Sequence, residues 1–322
     1  MINEYLSWIE SEIQTQKFGS QPKSLYEPIR YIMGLGGKRL RPLLTLLAYS
    51  LYKKDTKRVV PFAVAVEAFH NFTLMHDDIM DNAPLRRGKP TVHEKWNVNT
   101  AIISGDVMLA KVYDQFLDVE IEKLKDVLRT FNACVSEVCE GQQWDMEFES
   151  KAKVTEAQYI AMIRQKTAVL LGFSLELGAL LADASELERS ALREFGINIG
   201  IGFQLKDDLL DIYADKKNFG KQVGGDIIAN KKTFLLIKAI ENSKGKNKQE
   251  LDQWLKAKKF DKRKKVSAVK AIYDHLQLSA LTEAKIDSYF KKGFDSLEKS
   301  NADPVKKQEL ISFAQNLINR IS

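Results

Sequence analysis

The chain has 322 residues, 29% of them charged and 44% hydrophobic, which is ordinary globular composition and enough chain to bury a substantial core. Lys and Arg number 49 against 43 Asp and Glu, a formal charge of +6 that argues against an extended nucleic-acid surface and suits the handling of small anions. Two cysteines, Cys134 and Cys139, exclude a disulfide framework and read as buried thiols of a reducing compartment.

The amino terminus, MINEYLSWIESEIQ, has no cationic segment leading into an apolar core, so no secretory signal is expected. Gly36-Gly37-Lys38-Arg39-Leu40-Arg41-Pro42 reads as a loop entering a helix, with three positive charges and backbone N–H groups that a phosphate can approach closely. Apolar residues at three- and four-residue intervals predict helix over Phe69–Met80, a break at Pro84–Pro90, and helix again through Val107, Val112, Phe116 and Leu117. Ala168 to Ala184 is apolar on more than one side and is predicted to be a central helix, but Glu176 interrupts it, so no membrane span is expected. Phe195, Ile199, Phe203, Leu205 and Leu209 mark one face of a helix over Leu192–Tyr213. Breaks follow at Lys216–Gly225 and Asn242–Asn247, and the basic stretch Lys244 to Lys270 reads as a solvated helical surface. No proline falls between Pro90 and Pro304, as a run of long helices requires, and strands are at most incidental. The expected fold class is all-α, as a single large domain over 1–322, in a cytoplasmic protein without stable membrane insertion or a nucleic-acid partner.

Two segments carry the chemistry: His76-Asp77-Asp78-Ile79-Met80-Asp81 and Lys206-Asp207-Asp208-Leu209-Leu210-Asp211. Both have the spacing Asp-Asp-x-x-Asp on an otherwise apolar helix. At about 100° per residue the three carboxylates of each fall within about 100° of one another. Carboxylates that close need a cation, and hard oxygen ligands with open positions for water and phosphate describe Mg²⁺ on a diphosphate. One such triplet alone is unremarkable as an acidic turn; the recurrence 130 positions later (77 to 207) is what points to a site. Basic groups recur beside both: Arg86-Arg87-Gly88-Lys89 after the first, Lys216 to Lys221 and Lys231-Lys232 after the second. His70, seven residues before Asp77, lies about 20° from it on the helical wheel and shares its face. His76 reads as a structural partner, Asp106 and Asp145 as carboxylates that orient the lysines, and Trp144 and Cys139 as packing.

With these motifs in hand, the chain resembles the trans-isoprenyl diphosphate synthases, or polyprenyl synthetases, from about Leu35 to Thr233. The resemblance implies an all-α fold of roughly ten or more helices around a central cavity, and a homodimer. It implies Mg²⁺, three ions with substrate bound, held by Asp77, Asp78 and Asp81 and by Asp207 with Asp208 and Asp211. Arg86, Lys166, Lys221 and Lys231 then grip the allylic diphosphate (dimethylallyl, geranyl or farnesyl). Lys38, Arg41, His70 and Arg87 form the metal-free isopentenyl diphosphate site. Thr167 and Gln204 place oxygens near the developing allylic cation. The implied reaction is head-to-tail condensation, in which metal ions and Lys/Arg stabilise the leaving diphosphate, a dry cavity protects the cation, and the isopentenyl double bond attacks. No side chain stands out as the base, and the resemblance implies the released diphosphate, held by magnesium, in that role.

Product length in this family depends on bulk before the first aspartate cluster, here Thr73, Phe72 and Phe69, which lie four, five and eight residues ahead of Asp77. An ideal wheel sets Thr73 and Phe69 nearer the Asp77 face, while the resemblance favours Phe72 as the floor. Phe72 with a small Thr73 resembles C20 geranylgeranyl diphosphate producers; a C15 farnesyl diphosphate product is the alternative, and a class I terpene cyclase a more distant one.

Overall fold

Helices supply nearly all regular structure in the computed structural model, which describes residues 1–214 and 224–319. The chain has two compact units, Met1–Asn132 with Phe173–Ser190, and Ala133–Gly172 with Ala191–Ser322.

The first unit opens with α1 (Ile2–Thr15), α2 (Lys23–Gly34), α3 (Leu40–Ser50) and α4 (Val60–Met80). It continues through β1 (Leu85–Arg86), β2 (Lys89–Pro90), α5 (Val92–Lys95), α6 (Val98–Phe116) and the start of α7 (Ile121–Ser150). The aromatic core gathers around the fully buried Phe131, whose ring lies 5.1 Å from Phe69, 5.0 Å from Phe116 and 5.6 Å from Phe173. Each such side chain contributes about 1.5–3 kcal/mol by leaving water. They seat α4, whose Val64, Ala65, Val66 and Ala68 are also inaccessible. Its last turn, carrying the first aspartate cluster, emerges at the edge of that core.

The second unit holds the rest of α7, then α8 (Glu156–Ile163), the first residues of α9 (Val169–Leu181) and most of α10 (Glu186–Tyr213). Beyond these come α11 (Gly225–Ala229), α12 (Phe234–Asn242), α13 (Gly245–Lys256), α14 (Lys262–His275), α15 (Leu278–Leu297) and α16 (Pro304–Asn319). Thr155 caps α8 and Gln158 returns the bond to the Thr155 N–H, a reciprocal cap legible as Thr-x-x-Gln. Glu156 on that first turn ion-pairs with Lys238 of α12 (2.8 Å) and Lys285 of α15 (2.6 Å). Of the face of α10 predicted from its periodicity, Phe195, Ile199, Leu205 and Leu209 are buried and Phe203 is half-buried. As expected for a central helix, α9 is buried along its length except at half-buried Glu176.

Two expectations are corrected. Cys139 and Trp144, read as packing, are both exposed; only Cys134 is buried. Within the basic stretch, Lys265 has no exposed surface at all. The break expected at Lys216–Gly225 falls mostly on residues 215–223, outside those described. No helix among the described residues is long and apolar enough to cross a membrane.

Candidate active site

In the first unit, the loop before α3 is held by Arg39. Its residue takes a left-handed conformation (φ 47°), and its guanidinium, 3% exposed, turns inward rather than toward an anion. It donates to Glu67 of α4 (2.8 Å), to Glu10 of α1 (2.8 Å) and to the Met33 carbonyl (2.9 Å). Of the three cations in the Gly-Gly motif, one is therefore an anchor. Lys38 is left exposed, and Arg41 Nη1 donates to His70 Nε2 at 3.1 Å. Burial, then the surrounding Arg41, Arg87, Arg86 and Arg39, push the His70 imidazole well below its ordinary pKa. The ring is neutral, carries its proton on Nδ1 and accepts from Arg41. Arg87 closes the group: a side chain at Gly37 would lie 2.7 Å from its guanidinium, and the φ of 139° at Gly37 is open to glycine. The structure thus brings Arg41, His70 and Arg87 together beside the Gly36–Gly37 loop, an anion-binding arrangement.

Arg87 and Gly88 form the two-residue turn between β1 and β2, with φ of 53° and 73°. Positive φ at both centres matches a type I′ hairpin turn. The hairpin sends Arg86 back to α4, where its Nε lies 2.9 Å from both carboxylate oxygens of Asp78 and its Nη2 lies 2.7 Å from Oδ1. Asp78 is 2% exposed and is engaged by this fork. Asp77, partly exposed, lies 3.9 Å from the same guanidinium, and Asp81 is exposed at the helix end. The two outer aspartates face outward while the middle one holds an arginine.

Product-length residues sit on the same helix. Phe69 is fully buried in the aromatic core, and the Thr73 hydroxyl donates to the His70 carbonyl (2.7 Å). Phe72 is half-buried, its ring 4.8 Å from His76 and 5.8 Å from Phe69. His76 is structural here, its Nε2 3.2 Å from the Ile102 carbonyl.

In the second unit, α8 runs into a π-helical turn over Arg164–Ala168. Such one-residue bulges recur at functional sites. Gly141 of α7 permits it, since a Cβ there would lie 2.2 Å from the Lys166 backbone nitrogen. Lys166 Nζ is 2.6 Å from Asp145 Oδ2, the orienting carboxylate expected for it; Asp106 is exposed on α6. On the same turn, the Thr167 hydroxyl donates to Gln204 Oε1 (3.1 Å), and Gln204 Nε2 donates to Asp208 Oδ1 (3.0 Å). The Tyr159 hydroxyl donates to Asp208 Oδ2. Asp208 is 4% exposed; burial, reinforced by Asp226 and opposed by Lys231, pushes its carboxyl up to about 7. These groups, with Asp145, Lys166 and Lys231, line a recess of about 290 Å³. Asp207 is exposed, while Asp211 Oδ2 accepts the Asp226 N–H (3.0 Å). Lys221 lies outside the described residues. Tyr159 was not among the residues singled out; it stands seven before Lys166, two helical turns, which was the available signal.

A larger recess of about 690 Å³ near the start of α4 is lined by Tyr49, Lys53, Arg58, Glu120, Lys123 and Asp183. Its charges are spent on one another, with Lys123 2.7 Å from Asp183 and Arg58 on Glu120. It is a structural clasp at the opposite end of α4 from Asp77.

Among the described residues no three His, Cys, Asp or Glu side chains form a ready cage for a metal. That donor set still fits magnesium, which binds through one or two carboxylates and takes its other ligands from water and phosphate. Asp77 and Asp81 offer such oxygens in the first unit, and Asp207 in the second.

The polyprenyl synthetase family model matches residues 22–275. The chain belongs to this family. It is 44% identical over 237 residues to a short chain isoprenyl diphosphate synthase of Methanocaldococcus jannaschii, covering 73% of this chain and 72% of that protein. Identity is also 44% over 227 residues to a geranylgeranyl diphosphate synthase of Methanosarcina mazei, 69% of either chain. A solved geranylgeranyl pyrophosphate synthase superposes with a TM-score of 0.95 at 41% identity, covering 99% of this chain and 98% of that one. The protein is a trans-prenyltransferase, an enzyme of prenyl chain elongation.

Proposed function

We propose that the enzyme joins isopentenyl diphosphate head-to-tail to an allylic diphosphate and stops at C20 geranylgeranyl diphosphate. The observation that carries the reading is the cationic group around neutral His70, next to a helix end bearing Asp77 and Asp81. One diphosphate requires cations without metal, and the other requires carboxylates with metal; this unit offers both kinds of ligand. The family match spans both units, so the chain is read as one prenyltransferase domain, active as a cytoplasmic homodimer. The exposed apolar residues Val98, Ile102 and Ile103 of α6 are the surface to test for that dimer.

Isopentenyl diphosphate is assigned to Lys38, Arg41, His70 and Arg87. His70 fixes Arg41 without competing for the anion, because a neutral ring accepts where a carboxylate would neutralise. The allylic diphosphate is assigned to Arg86, Lys166, Lys221 and Lys231, with Asp77, Asp81, Asp207 and Asp211 as magnesium ligands. Magnesium, when bound, supplies Lewis-acid stabilisation of the departing diphosphate. Asp78 and Asp208 have other work. Asp78 sets the Arg86 fork. Asp208 fixes the Gln204 amide so that its oxygen receives the Thr167 proton, which leaves the Thr167 lone pairs for an electron-poor allylic carbon. Proton loss after C–C bond formation is assigned to the released diphosphate.

Phe72 is assigned as the determinant of product length, since Phe69 is committed to the core and Thr73 is small. Incubation with Mg²⁺, labelled isopentenyl diphosphate and each allylic primer, followed by chromatography of the dephosphorylated alcohols, is expected to give geranylgeraniol. A C15 alcohol as end product overturns the C20 assignment. Phe72→Ala is expected to lengthen the product, and an unchanged product removes Phe72 from this role.

A further inference from the structure

Lys265, on α14, is the only fully buried lysine among the described residues. It belongs to the basic stretch whose other lysines read as solvated surface, and a buried ammonium is costly unless it is held on several sides. Here it is: Nζ donates to Asn230 Oδ1 (2.6 Å) and to the Ile228 carbonyl (3.2 Å), and lies 4.3 Å from the centre of the Phe260 ring. Asn230 is gripped from its other side too, its Nδ2 donating to the Leu255 carbonyl (3.1 Å). This residue ends α11 in a left-handed conformation (φ 55°), and the next residue is Lys231. Lys231 is fixed in turn by its own N–H to the Asp226 carbonyl (2.9 Å) and by the Thr233 N–H to its carbonyl (2.8 Å). Its side chain reaches the recess that holds Lys166, Asp145 and Asp208.

We propose that Lys265 is a positioning residue for allylic diphosphate binding: its buried ammonium clamps the Ile228–Asn230 turn so that Lys231 is presented to the substrate. The inference rests on the assignment of Lys231 to the allylic diphosphate. It makes two distant lysines one unit, in which the hidden one sets the backbone and the exposed one meets the anion.

Steady-state kinetics on the full-length enzyme tests it. Lys265→Met is expected to raise KM for the allylic diphosphate about tenfold, the worth of one charge-assisted phosphate contact, with kcat and the isopentenyl KM within about twofold. Lys231→Ala should raise the same KM at least as far, and the double variant should be no worse than Lys231→Ala. Asn230→Gly tolerates the left-handed backbone while removing the clamped amide, and should raise the allylic KM several-fold even where Lys265→Met folds poorly. An unchanged allylic KM in Asn230→Gly, or a Lys265→Met penalty that persists in full on the Lys231→Ala background, overturns the clamp while the Lys231 assignment stands. An unchanged allylic KM in Lys231→Ala overturns both.

Discussion

The two Asp-Asp-x-x-Asp segments have the same spacing and the same kind of helix, yet their middle residues are treated differently. Asp78 is buried against a guanidinium that receives both of its oxygens. Asp208 is buried against a phenol and an amide, neutral donors, and burial beside Asp226 outweighs Lys231 and keeps its pKa high. In the first segment the carboxylate is a counter-ion; in the second it is a hub of a hydrogen-bonded relay. Equal spacing therefore reports equal placement on a helix, and the partners decide what the placement does.

Four experiments break or sharpen this contrast. The largest effect is expected where the segments are alike: Asp77→Ala and Asp207→Ala should each lower kcat by about 10²–10³-fold, as for loss of one transition-state contact. Near-normal turnover in either variant removes it from metal binding. The middle residues should then separate. Asp78→Asn removes the charge partner of a half-buried arginine and should cost about 3 kcal/mol of stability in denaturant titration, with kcat/KM down about a hundredfold; Asp208→Asn should cost under about 1.5 kcal/mol. Equal losses erase the distinction.

A smaller effect is expected from Tyr159→Phe, which leaves one Asp208 oxygen without its donor. It should cost about 1–2 kcal/mol and lower kcat up to about tenfold while the allylic KM holds. A shifted KM with unchanged kcat contradicts the orienting role. The smallest concerns His70. Its folded pKa is depressed, so below the unfolded value of about 6.5 the unfolded chain binds a proton that the native ring does not. Stability is therefore complete above that pH and declines on acidification, by at most about 1.4 kcal/mol per pH unit from this group. Melting curves from pH 7.5 to 5.5 should fall less steeply in His70→Gln, which keeps an acceptor for Arg41.

Periodicity made the helices legible, and with them the faces of Phe195, Ile199 and Leu205 and the position of His70 beside Asp77. Asp145 as partner of Lys166 was legible from residue type and placement. Partner identity was not. Arg39 and Arg41 stand two apart in one basic motif, and only the presence of Glu10 and Glu67 sends the first inward. Lys265 carries no local signal because it works through Asn230, 35 positions away, and Tyr159 offers only its two-turn spacing from Lys166, since its partner Asp208 is 49 positions away. The division of labour within each aspartate triplet was hidden for the same reason.

The wide turn at Arg164–Ala168 has a consequence for how this enzyme can vary. An extra residue in a helix is a rotation as well as an insertion, and removing it would swing everything beyond the deletion by about 100°. Shortening that turn by one would carry the Lys166 ammonium away from Asp145 and the Thr167 hydroxyl away from Gln204 together. A length change there is a single lesion with two losses, where a substitution at Lys166 or Thr167 carries one.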